Sequence, residues 1–154
     1  EIGHTFSGYC RPDGPRTNST WNWNDEIFAN FRMSYALEDC GGRMGQRGVF
    51  YTGAENMNYY KIAYDETIGA GVAKNNGDAL HYTFMRIARK YGWKVYEEAF
   101  RLLYALEEGE TAMLKTDYDK FCFFLSYVSK AAGEDVCKTC YSQKELELIE
   151  ESLK

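Results

Sequence analysis

Residues 24–39 read NDEIFANFRMSYALED, and this stretch decides the fold class because it carries a complete helix pattern. Asn24 is a residue type that caps helix N-termini, and apolar side chains then recur every three or four positions. Cys40 is followed by two glycines, which is typical of a helix end. The pattern therefore predicts a helix over residues 25–39.

The helical period of 3.6 residues divides this helix into stripes. One stripe begins with a carboxylate and an amide and then becomes apolar: Glu26, Asn30, Met33 and Leu37. Another is small and charged: Asp25, Ala29, Arg32, Ala36 and Asp39. We expect the charged stripe to face water and the first to point Glu26 toward the interior, where a carboxylate needs a cation or a raised pKa. The alternative is that the acidic first turn only complements the helix dipole.

The rest of the chain is predicted to be mostly helical. Thr116 with Asp119, and Ser142 with Glu145, have the spacing of capping boxes at helix starts. Five further helices are predicted, at residues 54–68, 78–90, 93–108, 116–132 and 143–154.

Two segments lack a helical pattern. Residues 7–23 hold both prolines of the chain and several turn-forming residues, so they are predicted to be a loop. The glycine-rich segment 41–53 has at most a short strand at 49–51. Together these patterns predict an all-α fold, with residues 1–154 forming a single helical domain.

The composition excludes two classes of function. The formal net charge is -5 and no basic stripe is present, so nucleic-acid binding is not expected. No apolar run approaches the ~20 residues that a transmembrane helix needs. We therefore expect neither a nucleic-acid partner nor a transmembrane segment.

The five cysteines do not indicate a complete disulfide framework, because their number is odd. Cys137 and Cys140 form a single C-x-x-C, and a structural zinc site would need two further ligands of the same kind. The interpretation that we favour is two small apolar thiols near a helix end. A bridge between Cys10 and Cys40 stays open.

The first six residues, EIGHTF, contain part of a zinc-hydrolase motif. In H-E-x-x-H, two histidines one helical turn apart bind zinc and the glutamate acts as general base. Glu1 and His4 have this spacing, but the first histidine would precede position 1. We expect the chain to be a fragment that starts inside this motif.

Several stretches resemble gluzincin metallopeptidases, in which H-E-x-x-H is followed by a glutamate ligand on a separate helix. After His4 come 21 residues and then NDEIFANF, which contains Glu26, and this spacing is similar to that of the enhancin-like, mucin-directed peptidases. FMRIARKYGWKVYEEAFRLL and DYDKFCFFLSYVSKAAGEDV resemble later segments of the same family. The resemblance covers nearly the whole chain and implies the C-terminal helical subdomain of a gluzincin-type catalytic domain, with the upstream half missing.

The resemblance implies roles for four residues. Glu1 would be the general base, His4 and Glu26 would bind Zn²⁺, and Asn30 would hydrogen-bond a ligand. The first histidine ligand is absent from this chain, and Asn30 stands where other gluzincins often have aspartate. We therefore expect the 154-residue chain alone to bind zinc weakly and to be inactive.

Further side chains are candidates for contacting substrate or the oxyanion of a tetrahedral intermediate. The candidates for the oxyanion are four tyrosines and one histidine: Tyr51, Tyr59, Tyr60, Tyr64 and His81. For each of them, packing in a helical core is the alternative. Trp21 and Trp23 could line a substrate groove, or could fasten their loop to the core.

The resemblance thus implies a zinc-dependent endopeptidase that hydrolyses peptide bonds of proteins or glycoproteins. The resemblance implies a secreted or cell-surface location. Two alternatives remain open, namely a non-catalytic helical binding or interaction domain, and a degenerate peptidase relative.

Overall fold

The computed structural model describes Trp21, residues 23–107 and residues 109–154. In this part of the chain an antiparallel hairpin interrupts a series of helices. The helices are α1 (Asp25–Asp39), α2 (Asn56–Asp65), a short 3-10 turn (Ile68–Ala70), α3 (Gly77–Tyr91), α4 (Lys94–Tyr104), α5 (Asp117–Ala132), α6 (Val136–Cys140) and α7 (Gln143–Leu153). The hairpin consists of β1 (Arg43–Gln46) and β2 (Val49–Thr52). The expected all-α fold is confirmed.

Helix α1 has the predicted bounds. The Asn24 side chain accepts a hydrogen bond from the Ile27 amide at 3.0 Å, and Gly41 follows the helix with φ of 65°. The buried face of α1 carries mostly large apolar side chains: Ile27, Phe28, Phe31 and Ser34. The expectation that Glu26 points to the interior is wrong, because these side chains turn the helix so that Glu26 is exposed.

The hairpin between α1 and α2 contains one strand that the sequence did not predict. Its two-residue turn has positive φ at both positions, 50° at Arg47 and 79° at Gly48, as type I′ turns require. Asn-Gly is the usual pair in such turns, so Arg-Gly gave no hairpin signal. The chain leaves β2 at Gly53, where a Cβ atom would collide with the Leu37 carbonyl oxygen. The hairpin is therefore held against the end of α1.

Local side-chain caps fix the starts of the later helices. The Asn76 side chain accepts hydrogen bonds from the Asp78 and Ala79 amides in the first turn of α3, and both predicted capping boxes are present at α5 and α7. Two helices end earlier than predicted, α2 at Asp65 and α4 at Tyr104. Helix α6 was not predicted. The Asp135 carboxylate starts it by accepting hydrogen bonds from two backbone amides.

The main core is built from aromatic rings of several helices. The Phe124 ring lies 5.2 Å from Phe28, 5.4 Å from Phe84 and 6.0 Å from Trp21, measured between ring centroids. Trp21 and Phe124 are fully buried. Edge and stacked ring pairs of this kind contribute about 0.5–1.5 kcal/mol each beyond burial of their area. None of the described helices is long and apolar enough to span a membrane.

An ion pair joins α3 to α7 beside this core. The Arg86 guanidinium donates to Glu145 Oε1 at 2.7 Å, and the Tyr64 hydroxyl donates to the same oxygen at 2.7 Å. The guanidinium also lies over the rings of Tyr64, Tyr82 and Tyr141. Tyr64 is therefore a structural residue, as the packing alternative expects.

Candidate functional site

The predicted zinc site falls partly within the described residues. Glu1 and His4 lie outside them. Glu26 is in the first turn of α1 with an exposed side chain, and Asn30 lies one turn further with a half-buried side chain. The structure therefore gives positions for two of the four residues.

The start of α3 lies beside the start of α1. A Cβ atom on Gly77 would lie only 3.2 Å from Ile27 Cγ1, so glycine permits this close approach next to Glu26. Asp78 follows Gly77 and is half-buried. Burial and then the negative charge of Glu26 raise the pKa of Asp78, whereas the charge of Arg47 lowers it. Two helix starts thus bring two carboxylates into one neighbourhood.

A buried polar network lies behind these carboxylates. Ser34 Oγ is 2.9 Å from His81 Nε2 and accepts a hydrogen bond from Asn56 Nδ2 at 2.7 Å. The Tyr60 ring packs beside this pair, 4.4 Å from the ring of His81 between centroids. We refer to Ser34, Asn56, Tyr60 and His81 as the Ser34 network.

Burial determines the chemistry of this network. His81 is fully buried, and loss of solvation lowers its pKa to about 3, so the imidazole is neutral near pH 7. Burial, followed by the charges of Asp78 and Glu26, raises the pKa of Tyr60. Within the described part of the chain, His81 Nδ1 and Asn56 Oδ1 have no hydrogen-bond partner. Since Tyr60 and His81 are both buried, the structure favours packing roles for them over contact with a substrate.

An open cleft of about 340 Å³ lies on the same side of the molecule, between the hairpin, α2 and the start of α3. We call it the hairpin cleft. Its lining combines apolar, aromatic and charged side chains: Gln46, Arg47, Val49, Tyr51, Tyr59, Ile62, Ala63, Glu66, Asn76 and Asp78. The rings of Tyr51 and Tyr59 lie 5.9 Å apart. Of the predicted substrate residues, these two tyrosines are accessible from a cleft.

A second cleft, of about 220 Å³, lies beside another face of α1. Its lining is mostly aromatic: Phe31, Arg32, Tyr35, Trp93, Tyr96, Glu97, Phe100 and Tyr104. The indole of Trp93 donates to Glu38 Oε2 at 2.7 Å. Trp21 is buried against Phe100 and Tyr104, so it packs in the core as the alternative expects.

The described residues do not contain a complete metal site. No group of three or more His, Cys, Asp or Glu side chains in this part of the chain could hold a metal ion. The local charge nevertheless suits a cation beside Glu26, because a positive charge there would offset the repulsion that Glu26 exerts on Asp78. Of the predicted zinc-site residues that would contact the metal or its water, Glu26 is the one that lies within the described part of the chain.

The four cysteines in the described part of the chain do not form an alternative reactive site. Cys40, Cys122, Cys137 and Cys140 have free thiols. Burial, followed by the charge of Asp135, raises the pKa of Cys137 to about 11, so this thiol stays protonated near pH 7. This agrees with the interpretation of the C-x-x-C as two apolar thiols.

Sequence reasoning did not find Arg47 or Asp78 as site residues. The Asn76-Gly77-Asp78 segment has the pattern of an ordinary helix start, and Arg47 lies in an unpredicted turn. Tertiary packing of the hairpin and of the helices brings Arg47 near Asp78, and Asp78 near Glu26. Comparison of the chain with protein-family models, curated proteins and solved structures found no match.

Proposed function

We propose that this chain is the helical C-terminal part of the catalytic domain of a zinc-dependent endopeptidase of the gluzincin type. The proposal rests on one combined observation. An E-x-x-H segment precedes a helix whose capped first turn carries Glu26, with an exposed side chain. By resemblance, the substrates would be proteins or glycoproteins outside the cell or at its surface.

In this proposal His4 and Glu26 are protein ligands of the zinc ion, and the H-E-x-x-H motif requires a further histidine as the third ligand. Zinc bound there would polarise a peptide carbonyl and lower the pKa of a water molecule. The Glu1 carboxylate would accept the proton of that water and pass it to the leaving amine.

Asn30 supports the ligands in this account. It lies one turn beyond Glu26 on the same side of α1, since residues four apart are neighbours on a helix surface. Its amide can donate to a ligand carboxylate or accept from a histidine N–H, and such partners orient metal ligands. Asn30 would therefore affect zinc affinity without binding the metal.

A non-catalytic helical binding domain is the competing function. The aromatic cleft of about 220 Å³ favours it, because it could bind a ligand without any metal. The two functions differ in what they require of Glu1. A binding domain has no use for a general base, whereas the peptidase depends on it.

The test uses the protein extended by its native upstream residues, after the codon before Glu1 has been read. We expect a histidine codon there, and hydrolysis of a protein substrate by the extended protein. Glu1→Gln should abolish hydrolysis while zinc stays bound. A different codon, or unchanged hydrolysis by Glu1→Gln, would contradict the proposal and favour the binding domain.

A further inference from the structure

The hairpin cleft has an apolar wall and a charged end. Val49 and Ile62 are each 50 % exposed although they are large and apolar, and the rings of Tyr51 and Tyr59 lie beside them. Asp78 contributes a half-buried carboxylate at the end formed by the start of α3. The cleft therefore combines an apolar wall with a negatively charged group at one end.

The charges of the cleft are not balanced. Glu66 and Asp78 line it together with a single guanidinium, that of Arg47, and Glu26 lies nearby. Arg47 interacts with Asp78 through a Coulombic attraction, and no hydrogen bond joins the two side chains in the described part of the chain. A second cation would therefore be stabilised at Asp78.

The backbone holds Arg47 at the rim. Its φ of 50° is unusual for a residue other than glycine, and the turn fixes the direction in which its side chain leaves the hairpin. The Arg47 side chain is exposed, so the guanidinium keeps its hydration at the rim of the cleft. The end of the cleft at Asp78 stays available for another group.

We propose that the hairpin cleft binds a basic side chain, lysine or arginine, of a protein ligand. The aliphatic stem of that side chain would pack on Ile62 and Tyr59, and its cation would pair with Asp78. Long basic side chains combine an apolar stem with a charged end, as this lining does. That the ligand is a peptidase substrate rests on the proposed function, but the binding itself does not.

The test is a titration of the isotope-labelled 154-residue chain, followed by NMR, with three probes of similar size. Nα-acetyl-arginine amide carries stem and charge, Nα-acetyl-norleucine amide carries the stem alone, and Nα-acetyl-glutamate amide carries the opposite charge. We expect the arginine probe to shift the backbone amide signals of Tyr59, Ile62 and Asp78. The norleucine probe should bind about tenfold more weakly, since a charge-assisted contact is absent.

Two variants separate charge from stem. Asp78→Asn should reduce binding of the arginine probe to the level of norleucine, and Ile62→Gln should weaken both probes. The matched control is Glu151→Gln, an exposed carboxylate on α7, which should leave binding unchanged. A dispersed amide spectrum establishes that each variant is folded. Ile62 is half exposed, so Ile62→Gln provides a folded variant for the test even if Asp78→Asn does not fold.

Three results would overturn the proposal. These are equal binding of arginine and norleucine probes, preference for the glutamate probe, and the absence of signal shifts around the cleft. None of them depends on zinc or hydrolysis. If the arginine probe binds to this chain but the extended protein binds no zinc, only the peptidase proposal is contradicted. If the extended protein binds zinc but the arginine probe does not bind, only the cleft proposal is contradicted.

Discussion

The two sides of the α1–α3 interface are stabilised in different ways. On one side, Phe28 and Phe84 join the aromatic core, where each ring contacts several others. On the other side, Ser34 and His81 meet in the Ser34 network, in which Ser34 is joined to His81 and Asn56 by specific hydrogen bonds. The core is destabilised mainly when a substitution reduces the volume of a buried side chain. The network is destabilised when a substitution removes one hydrogen-bonding atom or introduces a charge. The candidate site lies on the side of the network.

The largest expected effect is in the core. Phe124→Ala removes a fully buried ring that contacts rings from α1, α3 and α4. We expect a loss of about 3–5 kcal/mol in the free energy of unfolding, measured with urea. The control is Phe50→Ala, at a ring that is 75 % exposed, which should change it by less than about 0.5 kcal/mol. Similar losses for both would contradict the assignment of the core.

The next largest expected effect is a pH dependence of the free energy of unfolding, caused by His81 of the Ser34 network. The pKa of His81 is about 3 in the folded chain and about 6.5 when unfolded, so the unfolded state binds more protons between these values. The contribution of His81 to stability is therefore complete above pH 6.5 and is lost as the pH falls toward 3.

The slope of this loss is about 1.4 kcal/mol per pH unit. The difference in unfolding free energy between the natural chain and His81→Gln, measured by urea unfolding from pH 7 to 4, should follow this slope. Carboxylates titrate in both proteins and cancel in the difference. A constant difference over this range would show that His81 is not buried as a neutral ring.

A smaller effect is expected when the central hydroxyl of the network is removed. Ser34→Ala leaves His81 Nε2 and Asn56 Nδ2 without their partner, which should cost about 1–3 kcal/mol of unfolding free energy. Ser126→Ala is the matched control, because Ser126 is exposed and its hydroxyl donates only to the Phe123 carbonyl. Equal effects of the two substitutions would remove the distinction between network and surface.

The smallest effect is at the hairpin. Asparagine adopts positive φ more readily than arginine, so Arg47→Asn should stabilise the chain by a few tenths to about 1 kcal/mol. Urea unfolding would detect this change. Arg43→Asn, in the adjoining strand, should not stabilise. A loss of stability in Arg47→Asn would mean that the Arg47 side chain makes contacts that outweigh its backbone conformation.

Features that depend on neighbours in sequence were predicted well. The caps at Asn24, Thr116 and Ser142 are hydrogen bonds between residues three apart, so the sequence shows both partners. Helix ends were predicted less well: α2 and α4 stop before their patterns do, at Asp65 and Tyr104. Tertiary packing decides where such patterns are interrupted.

The orientation of α1 shows why the site was harder to predict. The prediction compared the polarity of two stripes of α1 to decide which of them faces the interior. The burial of the helix is instead decided by Ile27, Phe28 and Phe31, which lie between those stripes. Glu26 was correctly placed at the helix start and wrongly placed inside. Its neighbour Asp78 is 52 positions away in the sequence, and no local pattern connects the two.

The proposed role of Glu26 as a zinc ligand is tested by measuring zinc binding. The protein extended by its native upstream residues would be titrated with Zn²⁺, together with Glu26→Gln and the control Glu151→Gln. We predict about one tightly bound zinc ion per chain for the extended protein and the control, and an affinity more than about 100-fold lower for Glu26→Gln, since even partners that only orient ligands contribute 10–100-fold. Equal zinc affinity in all three proteins, or no zinc in any, would contradict the account.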